Sequence, residues 1–290
     1  MINYKEFAMK SIDYLYKYIT DNHLKSLILG ISGGIDSTVV ACLASIACKT
    51  AEVPLIGRSL PAHSNNPEEI NSAILVGQAF CDDFKEVAIE RMYAKVADEM
   101  ELNEGKMNGL QLGNIKARLR MIYLYNLASI HRGCVLDTDN KSEHELGFWT
   151  IHGDVGDLNC GLIHLWKTEI YELAGYLEKY YHLCALNNIE SNDKWKAIYE
   201  SIKLIPTDGN GVSSSDCAQF GLDNYEQVDD VLKTMYFNEG SPIDSQKEEY
   251  IRLIDSYNEQ GVDKVMSLHQ NSEFKRKPQP IFPTKIELGL

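Results

Sequence analysis

The sequence lacks the features of membrane-spanning and secreted proteins. Its 290 residues contain no apolar run of about 18 residues, the length that a membrane-spanning helix needs. Residues 1–10 are polar and mixed in charge, and no apolar stretch follows them, so no secretory signal is predicted. The seven cysteines are odd in number and include no Cys-x-x-Cys pair. Free thiols in a reducing cytoplasm are therefore expected, rather than disulfides or a zinc site.

Positive charge is also scarce. The chain has 28 basic and 42 acidic residues, a formal net charge of −14. So acidic a chain is a poor binder of nucleic acid or of an anionic membrane surface, and neither partner is expected. Hydrophobic residues make up 44% and charged residues 24%, which is ordinary for a globular protein. We expect a single domain over residues 1–290, with a helical and extended C-terminal part from about residue 224.

Apolar runs alternate with stretches of helical spacing along the chain. Strands are predicted within residues 27–31, 51–60, 84–89 and 133–136. Helices are predicted over residues 1–19, 37–48, 66–81, 114–131, 167–181, 225–236 and 247–259. This alternation predicts an α/β fold, a doubly wound parallel sheet flanked by helices, which binds ligands at the carboxyl ends of its strands. Residues 207–217 are rich in Gly, Ser and Asp and are expected to form a mobile loop.

One strand–helix junction carries most of the chemical information. Residues 30–38 read Gly-Ile-Ser-Gly-Gly-Ile-Asp-Ser-Thr, between an apolar strand and an apolar helix. Gly33 and Gly34 allow a sharp turn and a close approach of the backbone to a ligand. Backbone N–H groups and the hydroxyls of residues such as Ser32 and Ser37 then face one point, which suits a phosphate group.

The acidic residue of this loop points to a metal ion. The loop is not a Walker A loop, because the Gly-Lys-Ser/Thr ending is absent and Asp36 stands where the lysine would be. A carboxylate beside a polyphosphate repels it unless a cation lies between them. Asp36 therefore implies bound Mg²⁺, a hard cation that prefers oxygen ligands. The simpler alternative is a tight turn in which Asp36 is only a charge at a helix N-terminus.

The loop and four later segments resemble a known family. Ser-Gly-Gly-Ile-Asp-Ser at residues 32–37 is similar to the pyrophosphate loop of the N-type ATP pyrophosphatases. Four later segments resemble motifs of NAD synthetases. They are GNIKARLRM at residues 113–121, LDTDNKSE at 136–143, GFWT at 147–150 and LWKTEIYELA at 165–174. The resemblance extends over residues 27–278, in order and at family spacing. It implies a Rossmann-like fold of the adenine-nucleotide alpha-hydrolase type.

The resemblance implies an ammonia-dependent NAD synthetase, an ATP-dependent ligase. Such an enzyme adenylates the carboxylate of deamido-NAD with ATP and amidates it with ammonia, giving NAD, AMP and pyrophosphate. Adenylation supplies a good leaving group, and ammonia then attacks through an oxyanion. The family is a homodimer with its dinucleotide site near the interface. Only 29 residues precede Gly30, so no glutaminase domain is expected there, and ammonia is expected from solution or from a separate protein.

The resemblance also gives roles to individual residues. Asp36 and Glu143 are expected to hold Mg²⁺, and Lys167 is expected to balance phosphate charge. Asp154 is expected to hold ammonium. These four are the predicted catalytic residues. ATP contacts are expected from Gly30, Ser32, Gly33, Gly34, Ile35, Asp36, Ser37, Thr138, Lys167 and Thr207. Contacts to deamido-NAD are expected from Arg118, Asp157 and Lys275.

The departures from the family pattern fall on the side of the acid substrate. Asp137 replaces a motif glycine, Ile151 stands where many members have lysine, and Phe274 replaces a histidine. The substrate-contacting aspartate falls on Asp157 only with a local shift, and otherwise on Leu158. Adenylation is therefore a firmer expectation than the identity of the acid that is adenylated.

Two alternatives stay open at this stage. One is a divergent N-type ATP pyrophosphatase that adenylates or amidates a different acid or carbonyl substrate. The other is a catalytically inactive nucleotide-binding or regulatory protein, against which the intact Asp36, Glu143 and Lys167 argue.

Overall fold

A five-stranded parallel sheet forms the centre of the fold. The computed structural model of the chain describes residues 2–102, 109–207, 214–238 and 243–276. Within these ranges the strands are β1 Ser26–Gly30, β2 Leu55–Ser59, β3 Asp83–Glu86, β4 Gly133–Asp137 and β5 Leu158–Asn159. Their order is β3-β2-β1-β4-β5, and every neighbouring pair is parallel. The predicted parallel sheet is therefore confirmed.

The direction of winding changes between β1 and β4. The chain runs outward from β1 through β2 to β3, and then continues on the other side with β4 and β5. Ile28 of β1 pairs with Val135 of β4, so the two strands end side by side at Gly30 and Asp137. Doubly wound sheets bind ligands at such a switch point, because the loops leaving the two strands diverge there.

Helices surround the sheet. In the described ranges they are α1 Tyr4–Asp21, α2 Ile35–Thr50, α3 Pro67–Phe80, α4 Glu90–Glu99, α5 Gly109–His131, α6 Lys141–Leu146, α7 Lys167–Leu186, α8 Asn192–Lys203, α9 Asp216–Phe220, α10 Tyr225–Asn238, α11 Ile243–Ser256, α12 Glu259–Asn271 and α13 Glu273–Arg276. A 3₁₀ turn spans Leu162–His164. The helices predicted from the sequence overlap α1, α2, α3, α5, α7, α10 and α11. Strand β5 and helices α4, α6, α8, α9, α12 and α13 were not predicted.

The helix predicted over residues 247–259 corresponds to α11, which ends at Ser256, three residues earlier than predicted. The next helix, α12, begins at Glu259, so residues 257 and 258 separate the two. Asn258 Oδ1 accepts a hydrogen bond from Gly261 N at 2.7 Å and so caps α12. The loop predicted over residues 207–217 is shorter than expected, since α9 begins at Asp216; most of the remaining loop lies outside the described residues.

Two main hydrophobic clusters support this arrangement. The larger lies between the sheet and helices α1, α2, α3, α7 and α8. Helix α5 packs on the opposite face of the sheet, where Ile28 and Val135 meet Ala128. The second cluster joins α10, α11 and α12 to Leu146 and Trp166, at the end of α6 and the start of α7. The C-terminal helices thus have a core of their own beside the sheet, and their description as part of one domain stays a prediction.

The cysteines are free thiols. All seven lie in the described ranges, and all but Cys81 are buried. Burial raises the pKa of Cys134 and of Cys160 to about 12, so neither is a thiolate at neutral pH. Across the same ranges, no helix is long and apolar enough to cross a membrane.

Candidate active site

The glycine-rich junction folds as a tight loop between β1 and α2. Gly33 has a φ of +90°, and a Cβ added there would lie 2.2 Å from the carbonyl oxygen of Glu69. Only glycine fits this position. The Ser72 hydroxyl of α3 donates a hydrogen bond to Gly33 O at 2.8 Å. The loop is therefore pressed against α3, which fixes its path across the carboxyl edge of the sheet.

Hydroxyl groups surround the start of α2. The helix begins at Ile35, and Gly34 at its N-cap has no side chain with which to cap it. Ser32 Oγ and Ser37 Oγ lie 3.1 Å apart, and the hydroxyls of Ser37 and Thr38 donate to Gly34 O at 3.1 and 2.9 Å. The first N–H groups of a helix have no partner within the helix and attract anions. The loop thus combines backbone N–H donors with hydroxyls, as a phosphate site requires.

A lysine joins the two predicted metal ligands. Lys167 Nζ lies 2.5 Å from Asp36 Oδ2 and 3.1 Å from Glu143 Oε1. These residues belong to the first turns of α7, α2 and α6, so three distant segments meet at one point. Asn140 completes the group, because its Nδ2 donates to Asp36 Oδ1 at 3.0 Å while its Oδ1 accepts from Glu143 N at 2.9 Å.

Burial governs the charges of this group. Lys167 is only 3% exposed. Burial lowers the pKa of Lys167, but the carboxylates of Asp36, Glu143 and Asp216 outweigh it and hold that pKa well above its usual value. Burial raises the pKa of Glu143 to about 7; Lys167 opposes this shift, and the negative charge of Asp36 adds to it. One permanent cation therefore lies among several acidic groups, and further positive charge is favoured there.

A cavity of about 580 Å³ opens at the carboxyl edge of the sheet. Most of the predicted ATP-binding residues line it: Gly30, Ser32, Gly34, Ile35, Asp36, Ser37, Thr138, Lys167 and Thr207. Gly33 packs against α3 instead. The Thr207 hydroxyl donates a short hydrogen bond to Glu69 Oε1, which places the end of the chain segment after α8 beside α3. The structure brings the predicted ATP side together, and the contacts of these residues with ATP stay predictions.

Two residues of the predicted acid side also line the cavity, Asp154 and Lys275. Asp154 Oδ2 accepts a hydrogen bond from Thr150 N at 2.5 Å. Lys275 Nζ donates to Gly147 O at 2.7 Å and, in a shorter hydrogen bond, to Trp149 O. Burial lowers the pKa of Lys275. The last described helix, α13, thus places an ammonium group against the segment that carries Asp154.

Arg118 and Asp157 lie outside the lining of the cavity. Arg118 is exposed on α5, and its Nε donates to Ile151 O at 3.3 Å. The carboxylate of Asp157 accepts hydrogen bonds from the Tyr125 hydroxyl at 2.8 Å and from Val135 N at 3.2 Å. Asp157 therefore ties β4 to α5 within this chain. The predicted contacts of both residues with the dinucleotide stay predictions.

Three residues of the site had no role assigned from the sequence. Asn140 binds Asp36, as described above. Arg120 lines the cavity, and its Nε donates to Leu60 O at 2.9 Å. Asp216 is 3% exposed and also lines the cavity. The first two stand in the segments that carry the resemblance, which could have identified them. Asp216 had no such signal, because its approach to Lys167 depends on the tertiary fold.

Comparison with known proteins identifies the family. A family profile described as NAD synthase matches residues 7–279, nearly the whole chain. The chain belongs to the NAD synthase family. The NH3-dependent NAD+ synthetase of Finegoldia magna is 31% identical over 232 residues, which cover 80% of this chain and 85% of that protein. The enzyme of the same name from Thermococcus sibiricus is 33% identical over 177 residues, which cover 61% of this chain and 66% of that protein.

Solved structures share the fold of this NAD synthase family member. The NMN synthetase of Francisella tularensis superposes with a TM-score of 0.73 over 98% of this chain and 99% of that one. The sequence identity is 23%, so this likeness concerns the fold alone. The predicted Rossmann-like fold is confirmed.

One departure from the NAD synthase pattern is compensated locally. Asp137, which stands in place of the motif glycine, is buried at the end of β4. Its carboxylate accepts hydrogen bonds from Asp139 N and from Asn159 Nδ2, both at 3.0 Å. The same Asn159 amide donates to Asp139 O at 2.9 Å. Asp137 and Asn159 together hold the turn that carries Thr138 into the cavity.

Proposed function

We propose that the chain is an ammonia-dependent NAD synthetase. It adenylates the carboxylate of deamido-NAD with ATP, releases pyrophosphate, and amidates the acyl group with ammonia to give NAD and AMP. The observation that carries the proposal is the meeting of Asp36, Glu143 and Lys167 beside the loop after β1. Membership of the NAD synthase family and relatives named NH3-dependent NAD+ synthetases support the same activity.

The nucleotide side accounts for the first chemical step. Attack of a carboxylate oxygen on the α-phosphorus of ATP forms a phosphoric–carboxylic anhydride and expels pyrophosphate. Both partners are anions, so the step depends on positioning and on neutralising charge. The N–H groups at the start of α2 bind the phosphates, and the buried ammonium of Lys167 balances the charge that develops on pyrophosphate.

The donor set fits Mg²⁺. Asp36 and Glu143 stand close together, since Lys167 Nζ lies within 3.1 Å of a carboxylate oxygen of each. Magnesium at nucleotide sites is usually held by one or two carboxylates together with phosphate oxygens. Asp36 and Glu143 would hold the ion, which supplies positive charge to the phosphate oxygens. Magnesium is therefore part of the proposal.

The second step needs ammonia and a proton acceptor. Ammonia attacks the acyl carbon, the C–O bond to AMP breaks, and the nitrogen loses a proton. Asp154 lines the cavity beside Lys275, and we assign it to holding ammonium and receiving the proton that ammonium loses before the attack, while the proton lost after the attack passes to solvent. Its Oδ2 is oriented by Thr150 N. Lys275 is assigned to the acid substrate, because an ammonium group suits its phosphates or carboxylate.

A homodimer is part of the proposal and explains where Arg118 lies. Arg118 and Ile122 stand one turn apart on the outer face of α5, and both are exposed. Ile130 on the same helix is 63% exposed. A second copy docked on α5 would cover these apolar side chains and bring Arg118 to a site at the interface. Light scattering tests this: Ile122→Glu is expected to give monomers, whereas Ile189→Glu, on the segment between α7 and α8, leaves the mass unchanged.

A second candidate function is amidation of a different acid on the same ATP site. The observation that favours it is the acid side, where Arg118 and Asp157 lie outside the cavity and Ile151 replaces a lysine of the family pattern. The Francisella tularensis structure belongs to a protein named NMN synthetase. Its name makes nicotinate mononucleotide, the acid that amidation turns into NMN, the first competing substrate to test.

One assay separates these functions. The protein is incubated with ATP, Mg²⁺ and ammonium, and with one acid at a time: deamido-NAD, nicotinate mononucleotide or nicotinate. Mass spectrometry then identifies the amide and AMP. We expect NAD and AMP in equal amounts from deamido-NAD. If an amide forms only from nicotinate mononucleotide or nicotinate, the second candidate function is favoured. If no AMP forms with any of the three acids, both functions are contradicted.

A cytoplasmic location completes the proposal. The seven cysteines are free thiols, which suits a reducing compartment. Fractionation of cells that express the chain tests it, and activity recovered outside the cytoplasmic fraction would contradict it.

A further inference from the structure

The helix that carries Lys167 begins without a capping side chain of its own. Its N-cap residue is Trp166, whose indole has no oxygen to accept a hydrogen bond. The first N–H groups of any helix have no partner within the helix. Glu169 Oε2 accepts one of them, from Trp166 N at 2.9 Å. The next two N–H groups, on Lys167 and Thr168, need acceptors from elsewhere in the fold.

Two residues from other helices supply these acceptors. Lys167 N donates to Ser142 Oγ at 2.8 Å, and Thr168 N donates to Asp229 Oδ2 at 2.9 Å. The Ser142 hydroxyl donates in turn to Asp229 Oδ1 in a short hydrogen bond. Ser142 is 0% exposed and Asp229 is 1% exposed, so the contacts are shielded from water. A carboxylate at this end of a helix is also favoured by the helix dipole.

One carboxylate therefore joins three helices at the active site. Asp229 belongs to α10, Ser142 precedes Glu143 on α6, and Lys167 opens α7. We propose that Asp229 is a positioning residue, which holds the start of α7 against α6 so that Lys167 Nζ stays between Asp36 and Glu143. The inference rests on the proposed function, since it concerns the lysine assigned to phosphate charge.

The contacts explain why this position suits aspartate. Both carboxylate oxygens of Asp229 accept a hydrogen bond, one from the Ser142 hydroxyl and one from Thr168 N. Asparagine has a single acceptor oxygen, so one of these donors loses its partner. Asp229→Asn therefore removes half of the junction while keeping the size of the side chain.

The neighbouring Asp230 provides a matched control. It is the next residue on α10, but its carboxylate binds Arg252 Nη1 at 3.0 Å and the Tyr257 hydroxyl at 2.9 Å, away from α7. Asp230→Asn changes the same helix by the same chemistry without touching Lys167. A general weakening of α10 affects both variants, whereas loss of positioning affects only Asp229→Asn.

A double-mutant cycle tests the inference. Initial rates of pyrophosphate release are measured at varied ATP for the wild type, Asp229→Asn, Lys167→Ala and the double variant. We expect Asp229→Asn to lower kcat by about 10- to 100-fold with less than about threefold change in KM for ATP, and Asp230→Asn to change neither. In the Lys167→Ala background, Asp229→Asn should lower the rate by less than about twofold, because no lysine is left to position. Equal factors in the two backgrounds would overturn the inference.

A measurement without turnover keeps this test separate from the proposed function. Amide hydrogen exchange at Lys167 and Thr168 should be at least about tenfold faster in Asp229→Asn than in the wild type. Unchanged amide exchange in Asp229→Asn overturns the positioning role, whether or not the protein releases pyrophosphate. Absence of pyrophosphate release from the wild type contradicts the proposed function and leaves the positioning role to the exchange measurement. Should Asp229→Asn fail to fold, Ser142→Ala removes the link to Lys167 N while leaving Asp229 bound to Thr168 N, and faster exchange is then expected at Lys167 alone.

Discussion

The nucleotide side and the acid side of the cavity are built differently. On the nucleotide side, Lys167 contacts both Asp36 and Glu143, and all three residues come from helix starts at the carboxyl edge of the sheet. On the acid side, Asp154 lines the cavity, but Arg118 is exposed on α5 and lies outside the lining. The residues of the nucleotide side meet within one chain, because they follow neighbouring strands of one sheet. The proposed acid side is spread over α5 and the C-terminal segment, and a second copy in the proposed homodimer would bring Arg118 to it.

The electrostatics follow the same division. The nucleotide side is a dense group of buried charges, in which Asn140 and Lys167 bind the Asp36 carboxylate. The acid side has fewer buried charges, and Lys275 is bound there by backbone carbonyl oxygens instead of carboxylates. Substitutions on the first side should therefore have large effects on chemistry, and substitutions on the second should change the recognition of the acid.

The largest effect is expected from Asp36→Asn. The change keeps the shape of the side chain but removes the charge that faces Lys167 and the proposed magnesium ion. Removing one group that stabilises charge at an active site typically lowers kcat by about 100- to 1000-fold, so pyrophosphate release should fall by about that factor. The rate of pyrophosphate release with ATP and deamido-NAD measures this, and circular dichroism checks that the fold is intact.

Asp13→Asn is the control for this variant. Asp13 forms an exposed ion pair with Lys17 on α1, far from the cavity, so its loss should leave turnover unchanged. Near-normal turnover of Asp36→Asn would contradict the metal role and would remove the contrast between the two sides.

The parts of the site that could be predicted from the sequence are the local ones. Gly33 and Asp36 lie in a single strand–helix turn, whose requirements for a positive φ and for charge appear directly as residue types. Asp216 and Asp229 could not be found in this way, because their roles depend on contacts with residues far along the chain: Asp229 and Ser142 are 87 positions apart. The short strand β5 and the break at Asn258 were missed for a related reason, since tertiary packing and one capping hydrogen bond override weak local periodicity.

The next largest effect is expected at Arg118, on the acid side. Losing a hydrogen bond to a charged group costs about 1.5–3 kcal/mol, so Arg118→Ala should raise KM for deamido-NAD by about 10- to 100-fold. KM for ATP should not change, because Arg118 lies outside the cavity that holds the nucleotide loop. Initial rates at varied deamido-NAD and ATP measure both constants. Arg91 is an exposed residue of α4, and Arg91→Ala serves as the control. If Arg118→Ala raises only the KM for ATP, the assignment of Arg118 to the acid side is contradicted.

A pH dependence is expected on the nucleotide side. Burial, with the charge of Asp36, raises the pKa of Glu143 to about 7. Below that pH the carboxyl group carries a proton, which it must lose before it can bind a cation. Apparent affinity for Mg–ATP should therefore fall by about tenfold per pH unit below pH 7 and level off above it. Calorimetric titrations at several pH values measure this, and Glu143→Gln should abolish the slope.

The same shift has a defined sign for stability. A carboxyl group whose pKa is higher in the folded state favours folding below its unfolded pKa of 4.5, and this contribution is lost as the pH rises through about 7. Glu143→Gln should therefore be less sensitive to pH than the wild type when urea unfolding without ligand is compared at low and high pH. A pH profile of stability identical to that of the wild type would contradict the raised pKa.

The smallest effect is expected from Ile151→Lys, which restores the residue common in the family. Ile151 O already accepts a hydrogen bond from Arg118 Nε at 3.3 Å, so a lysine here would stand beside the arginine assigned to the dinucleotide. A new contact to a phosphate at a partly exposed position is worth less than a buried one. KM for deamido-NAD should fall by about three- to tenfold, with KM for ATP unchanged. Ile151→Met, which lengthens the side chain without charge, should have no such effect.

If the wild type already binds deamido-NAD tightly and Ile151→Lys changes nothing, other residues have replaced this contact. If only nicotinate mononucleotide is amidated, the isoleucine marks an acid site shaped for the smaller substrate, and the acid side differs from the family in specificity as well as in residues.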